Sequence, residues 1–457
     1  MAALFCRRSA VDQHAGCPRS QARKEWWLKR VAQYAVVFIV TAFILIAALV
    51  GVAKIPRESI YKNVEKSALY LQKKQGAFPI TTLGLLCSSA DYYADGVLLC
   101  IAYNLDPSRP AESVAWSRFY TKDRYDYNGF VKKYFPASVL KHLPANQQYL
   151  RYWHGSIAIV RPLLLLWDLT GMLHFLTAVL IALMIWLSLL LTRNGMKGEA
   201  IAFGVSMAAV SIWFVPLCLE YIWMFLCMTG ASILIIKLSL RDQYKHFGRI
   251  FLVIGMIAVF LDFFTTETIT LLIPLLFAMR IRNRREIRDG NWKLCLSCSV
   301  LWGIGYVGMW VMKWIFASAV LGMNVMPYVN SSISEHLGVD GRMSMPVLWV
   351  LSITRCFNKL FPFSYKLPGK ITMILLIIVF IVYPVYTNRV ELRTQIRKDM
   401  VKLYLTLGMI PFVRFLVISF HTYEHSWFVY RALAATVLAL CFTIMEIVVK
   451  KEPEPVS

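Results

Sequence analysis

Long apolar runs alternate with short polar breaks along this chain, and the first run sets the scale. Residues 31–53, VAQYAVVFIVTAFILIAALVGVA, carry no charge and are long enough to cross the roughly 30 Å hydrocarbon core of a bilayer as one helix. Similar spans fall at about 171–192, 200–218, 223–240, 250–264, 267–279, 294–317, 371–388, 401–420 and 428–449, so the pattern predicts about ten membrane helices, of which 267–279 is the shortest. Two long stretches break the rhythm, 54–160 and 321–370. Loops of that length between packed helices are usually functional.

The predicted architecture is an all-α polytopic membrane protein. A basic segment 1–30 leads into the first helix 31–53; a large loop 54–160 with short helices follows; helices two to seven occupy 161–320, a second long loop 321–370, helices eight to ten 371–449, and a tail 450–457. The flank RKEWWLKR suits a headgroup region, and the apolar run behind it is too long for a cleaved signal. The first helix reads as an anchor.

Composition agrees with the pattern. At 58% hydrophobic and 16% charged over 457 residues, the chain has too little polar surface to coat a soluble globule. Lys and Arg outnumber Asp and Glu by 49 to 26, an excess that in a membrane protein reads as topology rather than affinity for nucleic acid. With the N-terminus in the cytoplasm, RNGMK, RDQYKHFGR, RIRNRREIRDGNWK and RVELRTQIRKDMVK lie inside and hold sixteen Lys and Arg; the tight hairpins near Glu220, Thr266 and Tyr423 lie outside and hold none. Both termini are then cytoplasmic and both long loops external. Cys6, Cys17, Cys295 and Cys298 fall on the reducing side, leaving Cys87, Cys100 and Cys356 as candidates for oxidation. The CLSC run at 295–298 has no second pair and reads as a helix start, so the cysteines point to no metal.

The chemistry-bearing residues gather on the external side. In SSADYYADGVLLC, Asp91 and Asp95 stand four apart and share one helix face, where mutual repulsion and lost solvation should raise at least one pKa. Such a pair suits a proton acceptor; the plainer reading is a helix cap and a Lys partner. QYLRYWHGSIAIVRPLLLLWD places Arg151, His154 and Arg161 at the membrane boundary, where cations can hold a lipid phosphate or serve as ordinary interfacial anchors. The short hairpins carry Glu220, Asp262, Glu267, His421, Glu424 and His425, with Arg431 just beyond. Ionisable groups there are costly without a partner or a polar cavity, and Asp262 and Arg431 could instead pair with each other or with Arg414.

This arrangement resembles the glycosyltransferase C superfamily, multi-spanning enzymes that use polyprenyl-phosphate sugars. Locally, ADYYADGVLLCIAY, RYWHGSIAIVRPLLLLWD, LDFFTTETITLLIPLL and HTYEHSWFVYRALAATVLAL look like a group of Gram-positive bacterial membrane proteins, over most of residues 60–445. The resemblance implies a catalytic base in the first external loop, matched here by Asp91 or Asp95, and leaves a divalent metal open as cofactor. The acidic pair departs from the adjacent Asp-Asp or Asp-Glu dyad of many members, and a soluble C-terminal domain is lacking.

What the resemblance implies is inverting transfer of a sugar from a polyprenyl-phosphate donor to a glycan or lipid-linked acceptor outside the membrane. An aspartate would take the acceptor's proton, and Arg151, His154, Arg161 and Arg431 would hold the departing phosphate. Asp91 is the preferred base, because the apolar run after Asp95 makes Asp95 the better helix anchor. The chain has no GxxxxGK[ST] loop, and an external site needs no nucleotide. The alternative is a transporter or flippase of lipid-linked sugars, which would place its polar groups near the bilayer midplane on interrupted, repeated helices. No repeat between the halves is visible.

Overall fold

The computed structural model describes residues 18–83, 86–337, 343–361, 371, 375 and 390–450. Helices dominate it, at 75%, and among the described residues seven are long and apolar enough to cross a membrane. Helix α1 (Pro18–Ala53) contains the first of these, Leu28–Ala53. It stops ahead of Pro56, whose ring disfavours helical geometry in the residue before it.

The large loop folds on itself. Helix α2 (Arg57–Gln72) buries Ile60, Val64, Ser67, Ala68 and Leu71, one face at helical spacing, and turns its lysines outward. An antiparallel hairpin of β1 (Ile80–Leu83) and β2 (Leu86–Ser89) pairs Ile80 with Ser89. Helix α3 (Tyr92–Asn104) is buried continuously from Asp95 to Tyr103, as expected for the run DGVLLCIAY. Short helices follow: α4 (Pro110–Trp116), α5 (Tyr127–Gly129), α6 (Phe135–Leu140) and α7 (Ile157–Leu163).

The bundle comprises α8 (Leu169–Arg193), α9 (Lys197–Ala209), α10 (Leu219–Ser239), α11 (Phe247–Leu261), α12 (Ile269–Arg284) and α13 (Asn291–Leu321). Helices α14 (Met326–Leu337) and α15 (Met345–Phe357) precede α16 (Lys398–Val417), and the chain closes with α17 (Ser419–Glu424), α18 (Ser426–Val429) and α19 (Ala434–Ile447). A small pairing of β3 (Val390–Leu392) with β4 (Val448–Lys450) ties off the end. On α13 the exposed residues Leu296, Val300, Ile304, Val307, Val311 and Ile315 form an outward apolar stripe, the surface a lipid solvent requires. Helices α11 and α13 meet at backbone contact: a Cβ on Gly255 would come 2.1 Å from the Trp302 carbonyl, and one on Gly305 2.1 Å from that of Leu252.

Two predicted spans take a different form. The run at 200–218 is not one helix: α9 ends at Ala209, Ser211 takes a left-handed φ of 56°, and a 3-10 turn over Ile212–Leu217 delivers the chain to α10. Pro216, which can neither donate a backbone hydrogen bond nor continue an α-helix from within, marks that break. The run at 267–279 becomes α12, 16 residues long and buried all round from Ile269 to Asn283. It packs among α10, α11, α16 and α19, so it meets protein rather than lipid. At one end of this core, Arg280 bonds Glu199 at 2.9 Å and Glu446 at 3.2 Å, while Asn283 donates to Glu446 at 2.7 Å. The span at 371–388 falls outside the described residues except at Ile371 and Leu375.

Candidate functional site

At the opposite end, the break before α10 creates a need that the first loop meets. Cys218 is extended, so α10 begins without a side-chain cap of its own and its first N–H groups are orphaned inside the protein. The Asp95 Oδ1 accepts from Leu219 N at 2.9 Å and Glu220 N at 3.4 Å, capping α10 from another helix. Its Oδ2 is buried and has no hydrogen-bond partner among the described residues. Asp91 caps α3 by accepting from Ala94 N at 2.8 Å, while its own N–H reaches the Cys218 Sγ at 2.8 Å.

These contacts set two acids against a third. Glu220, in the first turn of α10, lies close enough to the Asp91 carboxyl to share a proton with it, and its Oε2 has no hydrogen-bond partner among the described residues. Burial pushes the Asp91 pKa up to about 7, against the pull of the Ala94 N–H and the Glu220 hydrogen bond. Burial and the charge of Asp91 push Asp95 well above the usual carboxylate range, with the α10 N–H groups opposing.

Asp262 extends the cluster, for its charge is felt at Glu220. Burial and the neighbouring Glu267 raise the Asp262 pKa to about 7, against Thr265 and Arg414, and its carboxylate accepts from both the backbone N–H and the hydroxyl of Thr265. Glu267 is committed elsewhere: Arg414 Nε donates to its Oε1 at 2.9 Å, and Arg414 Nη2 also holds the Phe264 carbonyl at 2.6 Å. Arg414 thus pairs with Glu267 and fastens the Asp262–Thr268 hairpin to α16.

The predicted cations divide sharply. Arg161 is fully buried and spends its guanidinium on three carbonyls, those of Ala102 at 2.7 Å, Ile55 at 2.6 Å and Leu105 at 3.2 Å. It fastens the end of α3 to the chain beyond α1, which is a positioning task rather than an anion site. Arg151 lies over the Tyr149 and Tyr152 rings at 5.0 and 5.2 Å. His154, with a φ of 52°, is buried against Tyr149 and Phe263, and burial with Lys313 and Arg151 nearby drives its pKa well down. A neutral imidazole there supplies no positive charge to a phosphate.

Arg431 is different. It is 1% exposed, donates from Nη2 to the Ser88 hydroxyl at 3.1 Å, and lies 4.6 Å from the Tyr221 ring centre. Among the described residues its Nε and Nη1 have no hydrogen-bond partner and no carboxylate pairs with it. Tyr221 is common to both: Asp91 and Glu220 act on it together with Arg431. His421 and His425 stack 4.6 Å apart near this end, His421 against Phe264 and His425 on Phe428, whereas Glu424 is exposed.

The structure therefore brings together Asp91, Asp95, Glu220 and Asp262, joins Glu267 to them through Arg414, and sets Arg431 against the Tyr221 ring. Tyr221 and Cys218 are members that the sequence reading passed over; their signal was the break at Pro216, the first residue of PLCLEYIW. Lys359, part-buried among Cys356, Cys87, Arg431 and Arg355, is another, and nothing in its local sequence marks it. Among the described residues no three His, Cys, Asp or Glu side chains gather as a metal cage. Comparison with protein-family models, with curated proteins and with solved structures finds no match.

Proposed function

We propose that this chain is a membrane glycosyltransferase of the glycosyltransferase C type, moving a sugar from a polyprenyl-phosphate carrier to a glycan or lipid-linked acceptor at the outer face of the membrane, with inversion. One observation carries the reading: two buried carboxyls, Asp91 and Glu220, and the guanidinium of Arg431, two of whose N–H donors have no partner among the described residues, all act on the same Tyr221 side chain. Transfer from a lipid phosphate needs those two things, a base for the acceptor hydroxyl and a cation for the leaving group.

In this reading the Asp91 carboxylate takes the acceptor's hydroxyl proton, and the freed oxygen forms a bond to the anomeric carbon. The bond from that carbon to the phosphate oxygen breaks on the opposite face, and its electron pair leaves with the polyprenyl phosphate. The phosphate gains one negative charge, which Arg431 meets through Nε and Nη1. A base with a pKa near 7 is matched to neutral conditions. Asp95 is less suited, since its Oδ1 is bound to the N-terminus of α10. Glu220 positions Asp91 through the proton they share.

The interrupted stretch Ile212–Leu217 is the feature in keeping with a carrier, whose broken helices line a path. One assay separates the readings. In proteoliposomes given a polyprenyl-phosphate sugar and an acceptor extract, Asp91→Asn should lower transfer by about 10²- to 10⁴-fold and leave the protein folded. Near-normal transfer in Asp91→Asn would refute the base assignment, and movement of lipid-linked sugar without transfer in the wild type would favour the carrier.

A further inference from the structure

Beside Asp91, separate segments contribute a group of aromatic rings that core packing does not fully cover. Phe78 precedes the hairpin, Tyr93 lies in the first turn of α3, Tyr127 begins α5, and Trp427 belongs to α18. Tyr93 and Tyr127 meet edge-on at 4.8 Å, Phe78 meets Trp427 at 5.4 Å, and Phe78 meets Tyr127 at 5.7 Å. Tyr127 is 41% exposed, and the other three are part-exposed.

The rim is polar and only partly satisfied. Asn128 spends its Oδ1 on the Ala77 N–H at 2.8 Å, and its side-chain NH2 has no partner among the described residues. The Tyr93 hydroxyl likewise has no hydrogen-bond partner among the described residues, yet it lies within electrostatic range of Asp91 and Arg151. Tyr93 also stands two positions after Asp91 on the same helical turn.

We infer that this platform is the acceptor subsite, taking a pyranose ring face-on beside Asp91; the inference rests on the transferase reading and names the acceptor as a saccharide. A pyranose presents a face of C–H groups that packs on the electron-rich face of an aromatic ring, and its edge hydroxyls need polar partners. The platform offers both, rings in the middle and the Asn128 amide and Tyr93 hydroxyl at the edge. An acyl chain would use the rings and leave those polar groups unserved, at a cost if they were covered. The position matters as much as the chemistry: the Tyr93 hydroxyl that borders the platform lies within electrostatic range of the Asp91 carboxyl.

The test reads binding without turnover, so its failure is separable from failure of the transferase reading. The full chain in nanodiscs, as wild type and as Asp91→Asn, is titrated with chitobiose, maltose and lactose at millimolar concentration and followed by saturation-transfer NMR. At least one disaccharide should bind both forms. Phe78→Ala and Trp427→Ala should each weaken it about three- to tenfold, the worth of one stacked ring, Trp427→Phe should restore most of the loss, and Trp186→Ala on the exposed face of α8 should change nothing. Absence of binding across the panel, or binding indifferent to Phe78→Ala and Trp427→Ala alike, overturns the subsite. So does quenching of Trp427 by brominated lipid without saccharide binding, which would make it a membrane anchor.

Discussion

Arg161 and Arg431 look alike in sequence, since each is an arginine beside an apolar run, but the structure gives them opposite tasks. Replacing each by Met keeps the length and removes the charge and the donors. At Arg161 the change leaves three buried carbonyls, Ala102, Ile55 and Leu105, without their donor. A buried polar group stripped of its partner costs about 1–3 kcal/mol, so Arg161→Met should cost on the order of 3 kcal/mol or more. In a chain of 457 residues that is a drop of roughly 3 °C or more in the thermal midpoint. At Arg431 the protein loses one hydrogen bond, to Ser88, and is relieved of a desolvated guanidinium with two open donors. The two terms nearly cancel, leaving stability within about 1 kcal/mol of wild type. Binding should move the other way. A lost charge-assisted hydrogen bond to the donor phosphate is worth about 1.5–3 kcal/mol, or roughly 10- to 150-fold in affinity. Thermal unfolding in nanodiscs and titration with a short-chain polyprenyl phosphate supply the two readings. If Arg431→Met melts early while phosphate binding survives, or Arg161→Met loses binding at unchanged stability, the division between structural and anion-facing arginine is wrong.

Three further outcomes follow from the same contacts. Asp95→Ala should destabilise the protein by about 0.5–2 kcal/mol, because the first N–H groups of α10 lose their cap, whereas Asp95→Asn keeps an acceptor and should stay closer to wild type; equal melting of the two variants would remove the capping role. Asp91 and Asp262 have folded-state pKa values of about 7 against an ordinary 3.8, so their contribution to stability is complete below about pH 4 and is lost as pH rises to 7. The thermal midpoint should therefore fall from pH 5 to pH 8, less steeply in Asp91→Asn, while transfer rises over the same range; a midpoint that climbs with pH contradicts the burial argument. Cysteines placed at the exposed positions Lys122 and Arg288 should react with an impermeant thiol reagent from outside at Lys122→Cys and not at Arg288→Cys. Outside labelling at Arg288→Cys would turn the acid cluster towards the cytoplasm and remove the external transferase.

The helices were legible because lipid-facing segments obey a local rule: an apolar run of sufficient length is a span, and the predicted ends at 31–53, 171–192 and 428–449 lie within a few residues of Leu28–Ala53, Leu169–Arg193 and Ser426–Ile447. The rule weakens where a helix meets protein instead of lipid. Helix α12 needs only 16 residues because neighbours surround it, and α9 stops early because its continuation through Pro216 must place the start of α10 beside Asp95. The cluster itself could be read from residue type, since a carboxylate in a greasy context needs a reason, but the reasons are long-range. Asp95 meets its capping partner 124 residues away, and Arg161 meets carbonyls 56, 59 and 106 residues away. No local window holds that information. What distinguishes Arg431 is that such a partner is missing among the described residues: every other deeply buried arginine named here is tied to a carbonyl or a carboxylate, and this one keeps two donors open beside the acids. A protein tolerates a desolvated, half-paired cation only where something else completes it, and the place where local rules and packing both leave a group unsatisfied is where a ligand is to be expected.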